Sequence, residues 1–357
     1  MIFFLKKLNY VKSSGAGHIN PLAKKIISSG RSAIAYNTWP SEIKKNNVAI
    51  LSQAITLIES KSASDRIKAI TLLGKCKPNK AGSIRIGITG PPGVGKSSFI
   101  ESFGINLLDG DTKKIAVLSI DPSSPIKGGS ILGDKTRMQT LSQMPGVFVR
   151  PSPAGDDLGG VHLRTSECIQ LCEYAGYDYI LIETVGVGQS ELTVKDLTDF
   201  TILLISPGGG DELQGIKRGI TEIADLIIVN KDDSGLEEAA KTTQHHYQQA
   251  LNLLADKKIK VMRCSSTYSK GIEPIEAYLT LWINDQKKSG SWYKKRKSQR
   301  LKIFKTQTQY AWLSEWHKWS NHKILKSIES KTLEPDQDLN KLSLDYIKKL
   351  KNLISQE

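Results

Sequence analysis

The chain has 357 residues, 39% of them apolar, and a formal net charge of +14. That length suits one large domain or two ordinary ones with appendages, and the positive balance favours anionic partners: nucleotides, coenzyme A esters, RNA or acidic protein surfaces. No apolar stretch approaches the ~20 residues of a membrane helix, and the four cysteines (Cys76, Cys168, Cys172, Cys264) lack zinc, redox or disulfide-framework spacing, which points to a reducing compartment.

At the start, "MIFFLKK" has too short an apolar core for a secretory signal. Residues 1–41 carry six Lys/Arg and no acid, and a plain basic tail explains this better than a transit peptide. Val48, Leu51, Ile55 and Ile58 recur at spacings of three and four, which predicts one apolar helix face. Ile67, Ile70 and Leu73 predict a second helix facing inward, with Ser64 as its N-cap and Gly74 and Pro78 as its stop. Residues 1–80 therefore read as an N-terminal helical region.

From 81 to 285 the period changes. Seven short runs alternate with helical segments: "IRIGITG", "KIAVLSID", "VFVRPS", "YDYILIETVG", "FTILLISPG", "ADLIIVNK" and "KIKVMRCSS". Most are continuously apolar, as strands buried on both faces must be. The alternation predicts an α/β fold with a mostly parallel central sheet flanked by helices. Residues 286–357 are Lys-rich and read as a helical arm. Between Lys287 and Lys305 there are nine basic residues and no acid, which reads as a solvated linker or helix face rather than a nucleic-acid site. Trp312, Trp316 and Trp319 share one helix face and need a surface to bury against, either this chain's core or a second copy.

The strongest chemical signal is "GPPGVGKS", Gly90 to Ser97, after a strand and before a helix expected to open at Ser98. Gly93 and Gly95 let the backbone curl so that N–H groups face phosphate oxygens. The run Gly90, Gly93, Val94, Gly95, Lys96, Ser97 and Ser98 is the expected phosphate cradle of a P-loop NTPase. Lys96 is expected to neutralise the β/γ-phosphates and the Ser97 hydroxyl to bind Mg²⁺, with the helix dipole adding to the attraction.

The second signal is "NKDD", which fits N-K-x-D with Asn230, Lys231 and Asp233. A carboxylate at Asp233 can accept from both N1–H and N2–H₂ of guanine, a donor pair adenine lacks. Ser265 and Ser266, in the turn after the next strand, are expected to close over the base.

Glu183 ends a strand where P-loop hydrolases place the acid that serves Mg²⁺. The pattern is E-x-x-G, Glu183 to Gly186, with Gly186 positioned to offer its N–H to a γ-phosphate. Val187 stands where familiar GTPases have the Gln that orients water, and Gln189 is two residues off register. Two loops are further candidates. Asp121 and Asp134 bracket a Pro/Gly/Ser-rich segment that can carry a carboxylate to the metal. Asp211 and Lys217 follow the mobile Gly208–Gly210 and can swing toward the γ-phosphate. The six histidines form no ligand cluster with the cysteines.

With those residues in hand, the chain closely resembles the MeaB/ArgK/MMAA family of P-loop GTPases. The stretches that carry the likeness are "GPPGVGKSSF", "DPSSPIKGGSILGDKTRM", "LGGV", "ETVGVGQSE", "PGGGDELQGIKRGI" and "VNKDD". The resemblance implies a chaperone of an adenosylcobalamin-dependent acyl-CoA mutase, such as methylmalonyl-CoA mutase. It implies GTP/GDP and Mg²⁺ as ligands, low intrinsic hydrolysis stimulated by the partner, and a homodimer joined by a C-terminal helical arm. It places Asp121, Asp134 and Glu183 in metal-proximal switch regions, and Asp211 and Lys217 in a loop that responds to the mutase. The expected compartment is the cytoplasm, or the mitochondrial matrix in a eukaryote. Alternatives are a GTPase for metal insertion, a transport-system kinase or ATPase, and a nucleic-acid scaffold resting on the basic run.

Overall fold

The computed structural model describes residues 34–60, 62–78, 82–108, 112–121, 138–153, 158–184, 194–208, 224–254, 259–320, 322–332 and 338–355. The chain divides into two compact units, Met1–Trp39 and Pro40–Glu357. The described part of the first holds a 3-10 turn, Tyr36–Thr38, and the first residue of α1 (Trp39–Lys44); the second holds the sheet.

Seven strands form one sheet: β1 (Ile84–Thr89), β2 (Ile115–Asp121), β3 (Val147–Pro153), β4 (Tyr179–Thr184), β5 (Phe200–Ile205), β6 (Leu226–Val229) and β7 (Lys260–Arg263). Their order is β3-β2-β4-β1-β5-β6-β7, and every pairing is parallel. All seven fall on the apolar runs named above. Parallel strands need crossovers, and right-handed crossovers decide which face each helix covers. From β1 to β2 the chain moves one way through α4 (Lys96–Leu107), and from β2 to β3 through α5 (Gln139–Gln143). It then turns back through α6 (Leu158–Tyr174) and α7 (Glu237–Leu254), which therefore cover the opposite face.

Side chains alternate between the two faces, as a pleated strand requires. Ile202, Leu204, Leu226 and Ile228 join Phe99, Phe103, Leu279 and Ile283 in the core under α4 and α8 (Ile272–Lys288). Their neighbours Leu203, Ile205, Ile227 and Val229 join Tyr247 and Leu251 of α7 on the other side. Burying each such side chain contributes about 1.5–3 kcal/mol. Phe99 and Phe103 stack with centroids 5.1 Å apart, and Trp282 meets Phe200 edge-on at 4.9 Å. Gly87 is a glycine for space: a Cβ there would lie 2.5 Å from Val194 Cγ1.

The N-terminal helices pack on α6. Asn47 caps α2 (Val48–Glu59) by accepting from the Ile50 N–H. Leu51, Ile55 and Ile58 are buried as expected, and Val48 is exposed. The next helix, α3 (Ala63–Lys75), has Ser62 rather than Ser64 at its N-cap position. Ile67 and Ile70, expected inward, are 68% and 55% exposed. The reason is polar. Arg66 makes a two-pronged ion pair with Glu167 of α6, both contacts 2.6 Å. Gln170 of α6 donates to the carbonyls of Leu73 and Cys76. These grips turn the Arg66–Ala69–Leu73 side toward α6 and rotate the two isoleucines outward.

The C-terminal region is helical: α9 (Ser291–Ser320), α10 (Lys323–Lys331) and α11 (Leu339–Ile354). Its 30 residues make α9 about 45 Å long. Trp292 enters the core under α8, after which α9 crosses the starting ends of the strands. There Lys295 donates to the Asp199 carbonyl at 2.6 Å and Gln299 to that of Thr198 at 2.7 Å. Arg296 pairs with Asp199 and Glu173 and donates to the Ser83 carbonyl. The basic run is thus a helix, and part of it is held by the core rather than solvated. Of the tryptophan face, Trp316 meets Tyr346 of α11 edge-on at 6.5 Å, while Trp312 is 54% exposed.

Candidate functional site

The site lies at the carboxyl ends of β1, β2, β4, β6 and β7, where strand order reverses around β1 and open α/β sheets bind their ligands. The loop from Gly90 to Gly95 joins β1 to α4. Three glycines there take positive φ: Gly90 at 146°, Gly93 at 78° and Gly95 at 93°. Two are also bound by contact. A Cβ on Gly90 would collide with the Leu204 carbonyl oxygen, and one on Gly95 would lie 2.7 Å from the Asn230 Nδ2. Beside Gly93 nothing lies within 4 Å, so the curl opens onto space. The helix starts at Lys96, two residues before the expected Ser98, with Gly95 at its N-cap. The N–H groups of its first turn, which a helix cannot satisfy from its own carbonyls, therefore directly continue the loop.

Lys96 is buried at 8% exposure. Its Nζ donates to the carbonyls of Gly90 at 2.8 Å and Pro91 at 3.0 Å, which folds the amine over its own loop. Ser97 donates to Glu183 Oε1 at 3.0 Å. Glu183 comes from β4, beside β1, and is 5% exposed. Next to it Thr184 donates to Thr89 at 3.0 Å across β4 and β1. A serine hydroxyl beside a buried carboxylate is a hard-oxygen donor set that fits Mg²⁺.

At the far side, Asn230 follows β6 and is 2% exposed. Its Nδ2 donates to the Val94 carbonyl at 2.9 Å. Its Oδ1 accepts from the Ser266 N–H at 3.2 Å, the Ser266 hydroxyl at 2.7 Å and the Cys264 thiol at 3.5 Å. The amide is thus oriented from both ends. Burial pushes the Cys264 thiol up to about 12, so it stays a neutral donor. Asp233 accepts from the Ser265 hydroxyl, and Ser265 also takes the Tyr268 N–H at 3.2 Å. Lys231 is exposed with φ 61°, a conformation that sets the turn between the buried Asn230 and the half-buried Asp233. Asp232, between them, is spoken for by Arg263 at 3.2 Å and Lys270 at 3.5 Å.

The structure therefore links the Gly90–Ser97 loop through Val94 to Asn230 and Ser266, sets Asp233 against Ser265 in the same turn region, and places Glu183 beside Ser97. Ser98 lies in the first turn of α4, one residue beyond Ser97. Asp121 closes β2, paired in register with Pro153 of β3. Asp134, Gly186, Val187, Gln189, Asp211 and Lys217 lie outside the described residues. Sequence reasoning missed Ser119, whose hydroxyl donates to Glu183 Oε2 at 3.3 Å; the signal was a polar residue inside the apolar run "KIAVLSID". It also missed Thr89 and Thr184. Among the described residues no three or more His, Cys, Asp or Glu side chains converge on a metal position, so Glu183 meets hydroxyls there; the four cysteines are buried and free. Among the described residues no helix is long and apolar enough to cross a membrane.

Residues 51–320 match the family described as "Methylmalonyl Co-A mutase-associated GTPase MeaB". GTPase ArgK of Escherichia coli is 39% identical over 312 residues, 84% of this chain and 93% of that protein. The mitochondrial methylmalonic aciduria type A homolog of Caenorhabditis elegans is 45% identical over 268 residues, 71% of this chain and 67% of that protein. A crystal structure described as LAO/AO transport system kinase superposes with TM-score 0.68 at 30% identity, covering 91% of this chain and all of that one. The chain belongs to the MeaB family of P-loop GTPases.

Proposed function

We propose that the chain is a Mg²⁺-dependent GTPase that acts as a chaperone of an adenosylcobalamin-dependent acyl-CoA mutase, with methylmalonyl-CoA mutase as the first candidate. The observation that supports this best is the Asn230 bridge: one buried amide joins the phosphate loop at Val94 to the turn that carries Asp233 and Ser265. A site so joined reads base and phosphates of one nucleotide together.

Each group then has a task. The N–H groups from Gly93 to Ser98 receive phosphate oxygens, and Lys96 exchanges two carbonyls for the β/γ-phosphates. Ser97 and Glu183, with Asp121 and Asp134, hold the metal. Mg²⁺, when bound, neutralises charge that develops between the β- and γ-phosphates. Asp233 accepts the two guanine donors while Ser265 fixes its orientation, and Lys231 and Ser266 border the base. That donor pairing favours GTP over ATP, against a kinase reading of the transport-system neighbour. Gly186 meets the γ-phosphate, and Val187 leaves the attacking water without a glutamine, so intrinsic hydrolysis is slow. Asp211 and Lys217 respond to the mutase and complete the site.

In this reading residues 1–80 are a helical region, 81–285 the GTPase domain and 286–357 the arm of a homodimer. The compartment is the cytoplasm, or the mitochondrial matrix in a eukaryote. The test is retention on immobilised mutase with GTP and with GDP, followed by GTP turnover with the mutase added. Nucleotide-dependent retention and faster turnover are expected. A mutase whose cobalamin loading and inactivation ignore both chain and GTP would overturn the proposal.

A further inference from the structure

We infer that Ser119 is a positioning residue for the magnesium-binding carboxylate: it holds the second oxygen of Glu183 so that the first stays on Ser97. The inference rests on the Mg²⁺-GTPase reading above. Ser119 stands directly opposite Glu183 in the β2–β4 register. Both are buried, at 2% and 5% exposure. Ser97 Oγ lies 3.0 Å from Oε1 and Ser119 Oγ 3.3 Å from Oε2, so the carboxylate is bracketed by hydroxyls from two different elements.

The physical need follows from chain length. A glutamate has one more side-chain torsion than an aspartate, and its terminal torsion is soft and broad. One hydrogen bond to Oε1 leaves the carboxylate plane free to turn about that contact; a second bond, to Oε2, removes that freedom. Ser119 also breaks a pattern. It continues the stripe Ile115–Val117, whose other members are buried in the core under α4. A hydroxyl at the end of such a stripe is costly unless it is hydrogen-bonded, and here its proton goes to Glu183. The bond leaves the Ser97-facing oxygen aimed at the site.

The experiment is release of N-methylanthraniloyl-GDP from the full chain, followed across a Mg²⁺ titration and in EDTA. Ser119→Ala is expected to raise the Mg²⁺ concentration for half-maximal retention about tenfold, the size of effect seen when a partner of a metal ligand is lost. Release in EDTA should match wild type. Ser119→Thr keeps the hydroxyl on a residue suited to strands and should move the half-point back toward wild type; Ser119→Cys, near in size but a weak donor, should follow alanine. An unmoved half-point in the alanine and cysteine variants overturns the inference. So does release accelerated by one factor with and without Mg²⁺, which would mark a merely structural role. Wild-type release that ignores Mg²⁺ would instead bring down the magnesium reading itself, a result visible before any variant is made.

Discussion

The two ends of the sheet handle buried charge differently. At the starting end, an aspartate precedes each of three strands and accepts a backbone N–H from a neighbour. Asp178 takes that of Lys114 at 2.9 Å, Asp199 that of Arg85 at 2.8 Å and Asp225 that of Thr201 at 2.9 Å. Cations then close over this row: Arg85 holds Glu173 at 2.8 Å, and Arg296 spans Glu173 and Asp199. At the finishing end Asp232 is ion-paired too, but the two groups at the phosphate loop rest on neutral partners, Lys96 on two carbonyls and Glu183 on two hydroxyls. Bonds between ions are strong and costly to break one-sidedly, whereas those to neutral dipoles are more readily exchanged. One end is built to persist; the other is built to trade its contacts for a ligand.

The largest break in that contrast should come from Arg296→Ala. It leaves Asp199 and Glu173 buried with one cation fewer, at a cost of about 3–5 kcal/mol in urea unfolding. A loss below about 1 kcal/mol would place this end among ordinary surface pairs. Acid probes the same group. Burial pushes the Glu173 carboxyl up, but Arg85 and Arg296 outweigh it, and the net shift is downward. A depressed carboxylate stabilises fully above its unfolded value of about 4.3 and loses that contribution as pH falls through its folded value. Wild type should therefore lose stability below about pH 4, and Glu173→Gln should show a shallower acid limb.

At the finishing end the damage should appear in binding. Lys96→Ala is expected to weaken GTP about a hundredfold by calorimetry, with a urea midpoint near wild type; lost stability instead of lost affinity would erase the distinction between the ends. Asp233→Asn should weaken GTP about ten- to a hundredfold and admit xanthosine triphosphate in competition assays. Unchanged base preference would move the base site elsewhere. The smallest effect concerns the second turn of α6. His162 is buried there with neither ring nitrogen hydrogen-bonded. Burial, opposed by Asp196 and aided by Lys302, lowers its proton affinity. Stability linked to it is present above about pH 6.5 and fades as pH falls. His162→Leu should thus stabilise by about 1 kcal/mol, more at pH 5.5 than at pH 8, in thermal melts.

What could be read from the chain divides along the same line. Strands buried on both faces announce themselves as unbroken β-branched runs, and a phosphate loop needs its glycines at fixed offsets, so both were legible. Ile67 and Ile70 were misread because periodicity finds a stripe but not the partner that turns it. Arg66 and Gln170 set that rotation through contacts about a hundred residues away in sequence. Asp178, Asp199 and Asp225 each look like a turn residue, and only strand order reveals them as a row. Arg296 was hidden inside a lysine-rich run for the same reason. Ser119 was visible as an oddity, yet its meaning needed the β2–β4 register.

The placement of β1 carries a consequence for biosynthesis. It is the strand, Ile84–Thr89, that leads into the phosphate loop, yet its two flanking partners begin only at Tyr179 and Phe200. A nascent polypeptide leaving the ribosome must therefore keep an apolar segment unmatched from Thr89 until the chain has reached Tyr179. Such delayed, long-range closure is slow and prone to mispairing. The protein proposed to assist another enzyme is, by its own topology, a candidate client for assistance while it is being made.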